Sequence, residues 1–170
     1  MWDETIDVDA VRRAQRGDPR AVDTVVRQLM PYLGRICGAI ALDRGDDALQ
    51  EAMIAVVRNL RSLRQPAAVQ GWARTIAVRE AMRVARADPS VSVEPALLDS
   101  VSAVEPQASA IEVRDTLASL PPDQRAVLVL RHFDGLGEEE MAEVLGVAAG
   151  TVKSRLHRAR DAFRERWVSS

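Results

Sequence analysis

The chain has 170 residues, of which 47% are hydrophobic, 28% charged and 4% aromatic; it can bury a core, is not a disordered polymer, and has room for one ordinary domain or two small ones. No apolar run nears the ~20 residues that cross a bilayer, and the acidic opening MWDETIDVDA lacks the basic and apolar stretches of a signal peptide, so the expected compartment is the cytoplasm, without membrane insertion. A lone Cys37 and two well-separated histidines, His132 and His157, exclude an internal disulfide and leave no metal or cofactor pattern, while the net charge of -2, as one number, argues against a nucleic-acid partner.

Hydrophobic spacing reads as helix almost throughout. Val8, Val11 and Ala14 suggest a short first helix, and Gly17-Asp18-Pro19 is a turn with a capping Asp. Val22, Val25, Val26, Leu29, Leu33, Ile36, Cys37 and Ile40 then step by three and four along one apolar stripe. Leu49, Met53, Val56, Val57 and Leu60 repeat the pattern behind Asp46 and Asp47, whose charges suit a helix N-terminus, and Pro66 breaks it. A further stripe runs through Val69, Trp72, Ala73, Ile76, Ala77 and Val84 to Asp88-Pro89. These segments form one helical unit, residues 1–88.

Residues 89–107, PSVSVEPALLDSVSAVEPQ, carry no sustained period and read as an acidic linker whose Leu97 and Leu98 are the exceptions to a solvated tether. The second unit, residues 108–170, opens with a helix using Ile111, Val113 and Leu117. Pro121-Pro122 starts another, which carries Ala126, Val127, Leu130 and Phe133 and stops at Asp134-Gly135. Glu138, Glu139 and Glu140 begin a short helix through Met141, Val144 and Leu145, ended by Gly146. The last helix runs from about Ala148 through Trp167, with Val152, Leu156, Ala159, Phe163 and Trp167 as its inner face. The predicted fold class is all-α, two small helical domains joined by a flexible acidic linker.

The charge is unevenly spread. Residues 48–88 hold three acidic and seven basic side chains, and residues 89–112 four acidic and none basic. Further on, Asp134 to Glu143 is acidic, whereas Lys153 to Arg166 holds six basic residues and no more than two acidic ones. Two basic zones therefore flank an acidic connector, and the objection to nucleic acid lapses.

Glu139 to Arg160, EEMAEVLGVAAGTVKSRLHRAR, has helix-turn-helix spacing. One side of its second helix uses Val152, Leu156 and Ala159 to pack on Met141, Val144 and Leu145; the other presents Thr151, Lys153, Ser154, Arg155, His157 and Arg158. DNA's major groove admits a helix, Arg bonds guanine O6 and N7 together, and hydroxyls and the helix end bind phosphate. An αα-hairpin with a solvated basic face accounts for the composition equally well; the turn, the small Ala148-Ala149-Gly150 entry and the basic face together favour DNA.

Leu120-Pro121-Pro122 through Leu130-Arg131-His132-Phe133, Glu138 to Gly146 and Gly150 to Arg160 resemble region 4 of bacterial RNA polymerase sigma factors, specifically the small extracytoplasmic-function type. That resemblance implies a recognition helix that reads the promoter -35 element and a domain that docks on the polymerase beta-subunit flap. Arg16-Gly17-Asp18-Pro19 and Asp47-Ala48-Leu49-Gln50-Glu51-Ala52-Met53 resemble region 2 of the same family, more weakly. By it, Asp47, Gln50 and Glu51 face the beta-prime clamp of core polymerase, although alone they read as an ordinary helix N-terminus. Trp72, Ile76 and Ala77 resemble the family's Trp-Leu-x-x-Ile-Ala segment, with Trp72 read as a core residue.

The departures fall where promoter melting belongs. The loop Leu63 to Ala68 has no aromatic, and Val78-Arg79-Glu80 stands where an Asn is usual. Stacking on single-stranded bases is correspondingly thin, leaving Arg64, Arg74, Arg79, Arg83 and Arg86 to contact the -10 element through phosphates. The expected function is a sigma factor that binds core RNA polymerase and promoter DNA and is held by an anti-sigma factor; it is not an enzyme, since no nucleophile-base pair, carboxylate dyad or phosphate-binding glycine loop is visible. The alternatives are a stand-alone LuxR-like helix-turn-helix regulator, and a sigma-like module that binds polymerase or an anti-sigma factor without melting DNA.

Overall fold

A computed structural model describes residues 6–87 and 108–168. The expected linker, with Leu97 and Leu98, lies outside the described residues. Among those described, all regular structure is helical: α1 Val8–Gln15, α2 Pro19–Ala41, α3 Gly45–Asn59, α4 Val69–Arg86, α5 Ala108–Ala118, α6 Pro122–His132, α7 Glu138–Leu145 and α8 Ala149–Val168, with short 3-10 turns at Leu42–Arg44, Leu60–Ser62 and Pro66–Ala68.

Local chemistry sets the boundaries. The Asp7 carboxylate accepts the Asp9 and Ala10 amides at 2.9 and 3.0 Å to cap α1, and Asp18 does the same for α2 with Pro19 at its first position. The long second helix continues through Pro31 and ends at Leu42, whose φ of 54° turns the chain sharply. There α3 starts against α2 with no side chain between them: a Cβ on Gly45 would stand 2.7 Å from the Gly38 Cα. This close approach fixes how α3 leans on α2. Gln15 then donates to the carbonyls of Leu60 and Leu63 at 3.0 and 2.7 Å, fastening the connection between α3 and α4 to α1.

The central α2 packs on α1, α3 and α4, burying Val25, Leu29, Leu33, Ile36, Cys37 and Ile40 along the predicted stripe. In α3 the stripe is narrower than the spacing suggests. Met53, Val56 and Leu60 are buried, but Leu49 is half-buried and Val57 is 41% exposed, because the inner face is completed by Ala48 and Ala52, small enough for α2 to come close. Trp72 packs against the core while keeping part of its surface.

In the second half, Glu140 reaches back to accept the Gly137 amide at 2.8 Å, and Gly146, at φ 66°, ends α7 in the left-handed conformation that favours glycine. The helix α6 is buried all round from Arg125 to Leu130. Part of what covers it is the first half, since α6 packs on α2 and α4, and α7 packs on α4. The described residues therefore share one continuous hydrophobic core.

Candidate nucleic-acid interface

Helices α7 and α8 form the expected helix-turn-helix. Met141, Val144, Val152, Leu156 and Ala159 are all buried, which fixes the rotation of α8 about its axis. That rotation leaves Lys153, Ser154, His157 and Arg158 exposed and Thr151 half-buried on the outer side. The Ser154 hydroxyl donates to the Thr151 carbonyl at 3.0 Å, Arg158 to the Ser154 carbonyl at 3.3 Å, and His157 lies 3.4 Å from Asp161. Arg155 differs from the other cations on this face: its side chain is 23% exposed and its guanidinium sits 3.3 Å from Asp123 at the start of α6.

The C-terminal part of α8 departs from the predicted inner face. Phe163 is only partly buried and Trp167 is 40% exposed, the two rings stacking at 5.8 Å between centroids. With Val113, Leu117, Leu128 and Val129 they line an apolar cleft of about 740 Å³, bounded by Arg160 and Arg164. His132 opens onto it and is held below its ordinary pKa by partial burial and by Arg160 and Arg131.

On the first half, Asp47, Gln50 and Glu51 are exposed together on α3. Ile54, 37% exposed, and Val57 continue their row at three- and four-residue steps, so the acidic patch borders an apolar strip. Sequence reasoning missed that strip by assigning Val57 to the core. The arginines expected at the -10 element do not form one free row. Arg64 is exposed in the connection between α3 and α4. Arg83 is tied to Glu80 at 2.8 Å and to Glu51 at 3.9 Å. Arg79 donates to the Val144 carbonyl at 3.2 Å, and Arg74 faces the Asp134 carboxylate at 3.7 Å. Among the described residues no group of three or more His, Cys, Asp or Glu is arranged to hold a metal, and no helix is long and apolar enough to cross a membrane.

Two family profiles match the chain. The family profile for Sigma-70 region 2 matches residues 22–88 and that for Sigma-70, region 4 matches residues 110–163. The ECF RNA polymerase sigma factor SigM of Mycobacterium tuberculosis is 35% identical over 164 residues, covering 92% of this chain and 82% of that protein. The chain belongs to the extracytoplasmic-function (ECF) sigma factors. This sigma factor shares its fold, at 22% identity, with CnrH in its complex with the cytosolic domain of CnrY (TM-score 0.65, 94% of this chain and 96% of that one). It does so too with RpoE in its complex with the anti-sigma factor NepR from Bartonella quintana (TM-score 0.60, 85% and 94%, also 22% identical). As a sigma factor it serves promoter recognition at the initiation of transcription, and the reading as a stand-alone LuxR-like regulator is set aside.

Proposed function

We propose that this sigma factor reads the -35 element with the outer face of α8 and the -10 element with region 2, on a core polymerase gripped by both halves. The observation that carries it is the rotation of α8: burial of Val152, Leu156 and Ala159 turns Lys153, Ser154, His157 and Arg158 outward together, with Thr151 and Arg155 at the edge of the row. A helix so presented fits the major groove, where its N-terminal side chains reach base edges. Arg64, Arg74, Arg79 and Arg83 hold the -10 strand through phosphates, with little stacking to help them.

Asp47, Gln50 and Glu51 contact the beta-prime clamp, with Ile54 and Val57 supplying the desolvated area that acids alone lack. The apolar cleft between α5, α6 and the end of α8 accepts the beta flap as an amphipathic element, and an anti-sigma factor competes for these surfaces. Domain limits at residues 1–88 and 108–170 with a linker between, and action in the cytoplasm, complete the reading. Phosphodiester chemistry stays with the polymerase.

Reconstitution with core polymerase tests this. Promoter-dependent transcripts, with permanganate-reactive thymines at the start site, are the expected result. Core binding without melted thymines would overturn it in favour of a sigma-like module that does not open DNA.

A further inference from the structure

We propose that Asp123 is a positioning residue for DNA recognition: it holds Arg155 back from the phosphates that wall the groove, so that the outer face of α8 binds DNA of arbitrary sequence less tightly than its own charge would allow. The inference rests on the reading of that face as DNA-binding and adds what limits it on the wrong sequence.

Arg155 stands on the border of the face. Lys153, Ser154, His157 and Arg158 are exposed, whereas Leu156, the next residue, and Val152, one turn back, are buried. A helix with its side chains is about 10–12 Å across and the major groove about 12 Å wide, so a border residue meets the groove wall, where the phosphates are, before its floor. A free guanidinium placed there would bond phosphate in any sequence.

The Arg155 guanidinium is not free. Its Nη2 lies 3.3 Å from the Asp123 carboxylate, and with the two side chains 23% and 30% exposed the pair is only partly screened by water. Among the described residues, no other cation of the outer face is paired with a carboxylate from another helix: His157 pairs within α8, with Asp161, and Lys153 and Arg158 have no carboxylate partner.

Asp123 cannot follow Arg155 outward. It sits in the first turn of α6, where the helix dipole favours a carboxylate, and its other oxygen takes Arg86 of α4. Two residues on, Arg125 is 6% exposed and donates through Nε to the Ile40 carbonyl at 2.7 Å and through Nη1 to the Leu120 carbonyl at 2.8 Å, pinning the start of α6. A phosphate that takes Arg155 therefore exchanges one anion for another and gains little. An acceptor that offers more, such as guanine O6 and N7 together, is needed to draw it out. Because a genome presents roughly a million or more competing sites of the wrong sequence, weaker binding to each raises the share of molecules at promoters.

The test uses the full chain, fluorescence anisotropy and a short fluorescein-labelled duplex of mixed sequence, titrated with salt. Asp123→Asn keeps the size of the side chain and removes its charge. It should bind the duplex more tightly than the wild type, with a log-log salt slope steeper by about 0.9, the value for one added phosphate contact, so that its advantage is about three times larger at 50 mM salt than at 200 mM. Asp123→Ser, which also suits the first turn of a helix, should do the same, and Asp123→Glu, which keeps the carboxylate, should restore the wild-type slope. In an Arg155→Ala background Asp123→Asn should leave the slope unaltered, since no cation is then released. An unchanged slope in both Asp123→Asn and Asp123→Ser overturns the proposal. So does equal steepening without Arg155, which would assign the effect to Arg86 or to bulk charge, and so does failure of both the wild type and Asp123→Asn to bind. Lys153→Ala/Arg158→Ala on the same duplex tests the underlying reading separately. Weaker binding keeps the outer face of α8 as the DNA surface whatever Asp123 does, whereas unchanged binding removes that reading and the role of Asp123 with it.

Discussion

Arg155 and Arg158 sit three residues apart on the same helix, yet they meet different surroundings. Arg158 is exposed, whereas Arg155 must leave Asp123 before it can reach a base. Arg158→Ala should therefore weaken -35 binding by about 1–3 kcal/mol if the side chain bonds a base edge, with a smaller effect for Arg155→Ala. Fluorescence anisotropy on duplexes changed base by base checks this; a loss uniform over all sequences, with a flatter salt dependence, would assign Arg158 to phosphate. Cys37 makes a second residue-scale prediction. It is fully buried, its thiol faces the Ala77 carbonyl at 3.9 Å, and burial with the nearby Glu80 charge lifts its pKa from 9.0 to about 12. Between those values the unfolded chain loses the proton and the folded chain keeps it. The contribution to stability is complete below pH 9 and is lost as the pH rises toward 12. Urea melts at pH 8 and pH 10 should show the decline, Cys37→Ala should reduce it, and thiol reagents should modify Cys37 only on unfolding.

At the scale of elements, the α2–α3 contact depends on two glycines with opposite roles. A Cβ on Gly45 meets the Gly38 backbone at 2.7 Å, whereas one on Gly38 meets nothing within 4 Å. Gly45→Ala should force the helices apart and cost about 1–3 kcal/mol, while Gly38→Ala should stabilise by about 0.5–1 kcal/mol through helix propensity. Thermal denaturation of the two variants gives shifts of opposite sign if this is right. The helices themselves were legible in the sequence: Asp18-Pro19 marks the start of α2 and Gly146 the end of α7, because a carboxylate cap and a left-handed residue are local requirements. Facing was less legible. The run Ala126 to Leu130 is apolar at five successive positions, which signals a helix covered on several sides, although the spacing argument used only part of it. Phe163 and Trp167 continue the α8 stripe, but α8 extends past the helices that bury its first turns, so both rings line a cleft.

For the whole molecule, Arg125 is the residue on which unity of the two halves most depends. Arg125→Leu strands the Ile40 and Leu120 carbonyls and should cost about 1.5–3 kcal/mol, the range for hydrogen bonds to a charged group. Calorimetry should show a single unfolding transition for the wild type and two for the variant, because its capping bond joins the halves. Two transitions in the wild type would contradict this. Nothing local in the sequence marks Arg125, Asp123 or Asp134 as residues that each take a partner from the other half of the chain: Ile40, Arg86 and Tyr32 lie 85, 37 and 102 residues away. By itself the sequence determined the helices, the helix-turn-helix and the side of α8 that faces outward, since periodicity, capping and turn chemistry act over a few residues. Only the tertiary structure decided that Arg74 and Arg79 turn toward region 4, that Ile54 and Val57 remain at the surface and that the halves share a core. Those outcomes depend on which distant surfaces meet, and hydrophobic patterning specifies that a face is buried without specifying what buries it.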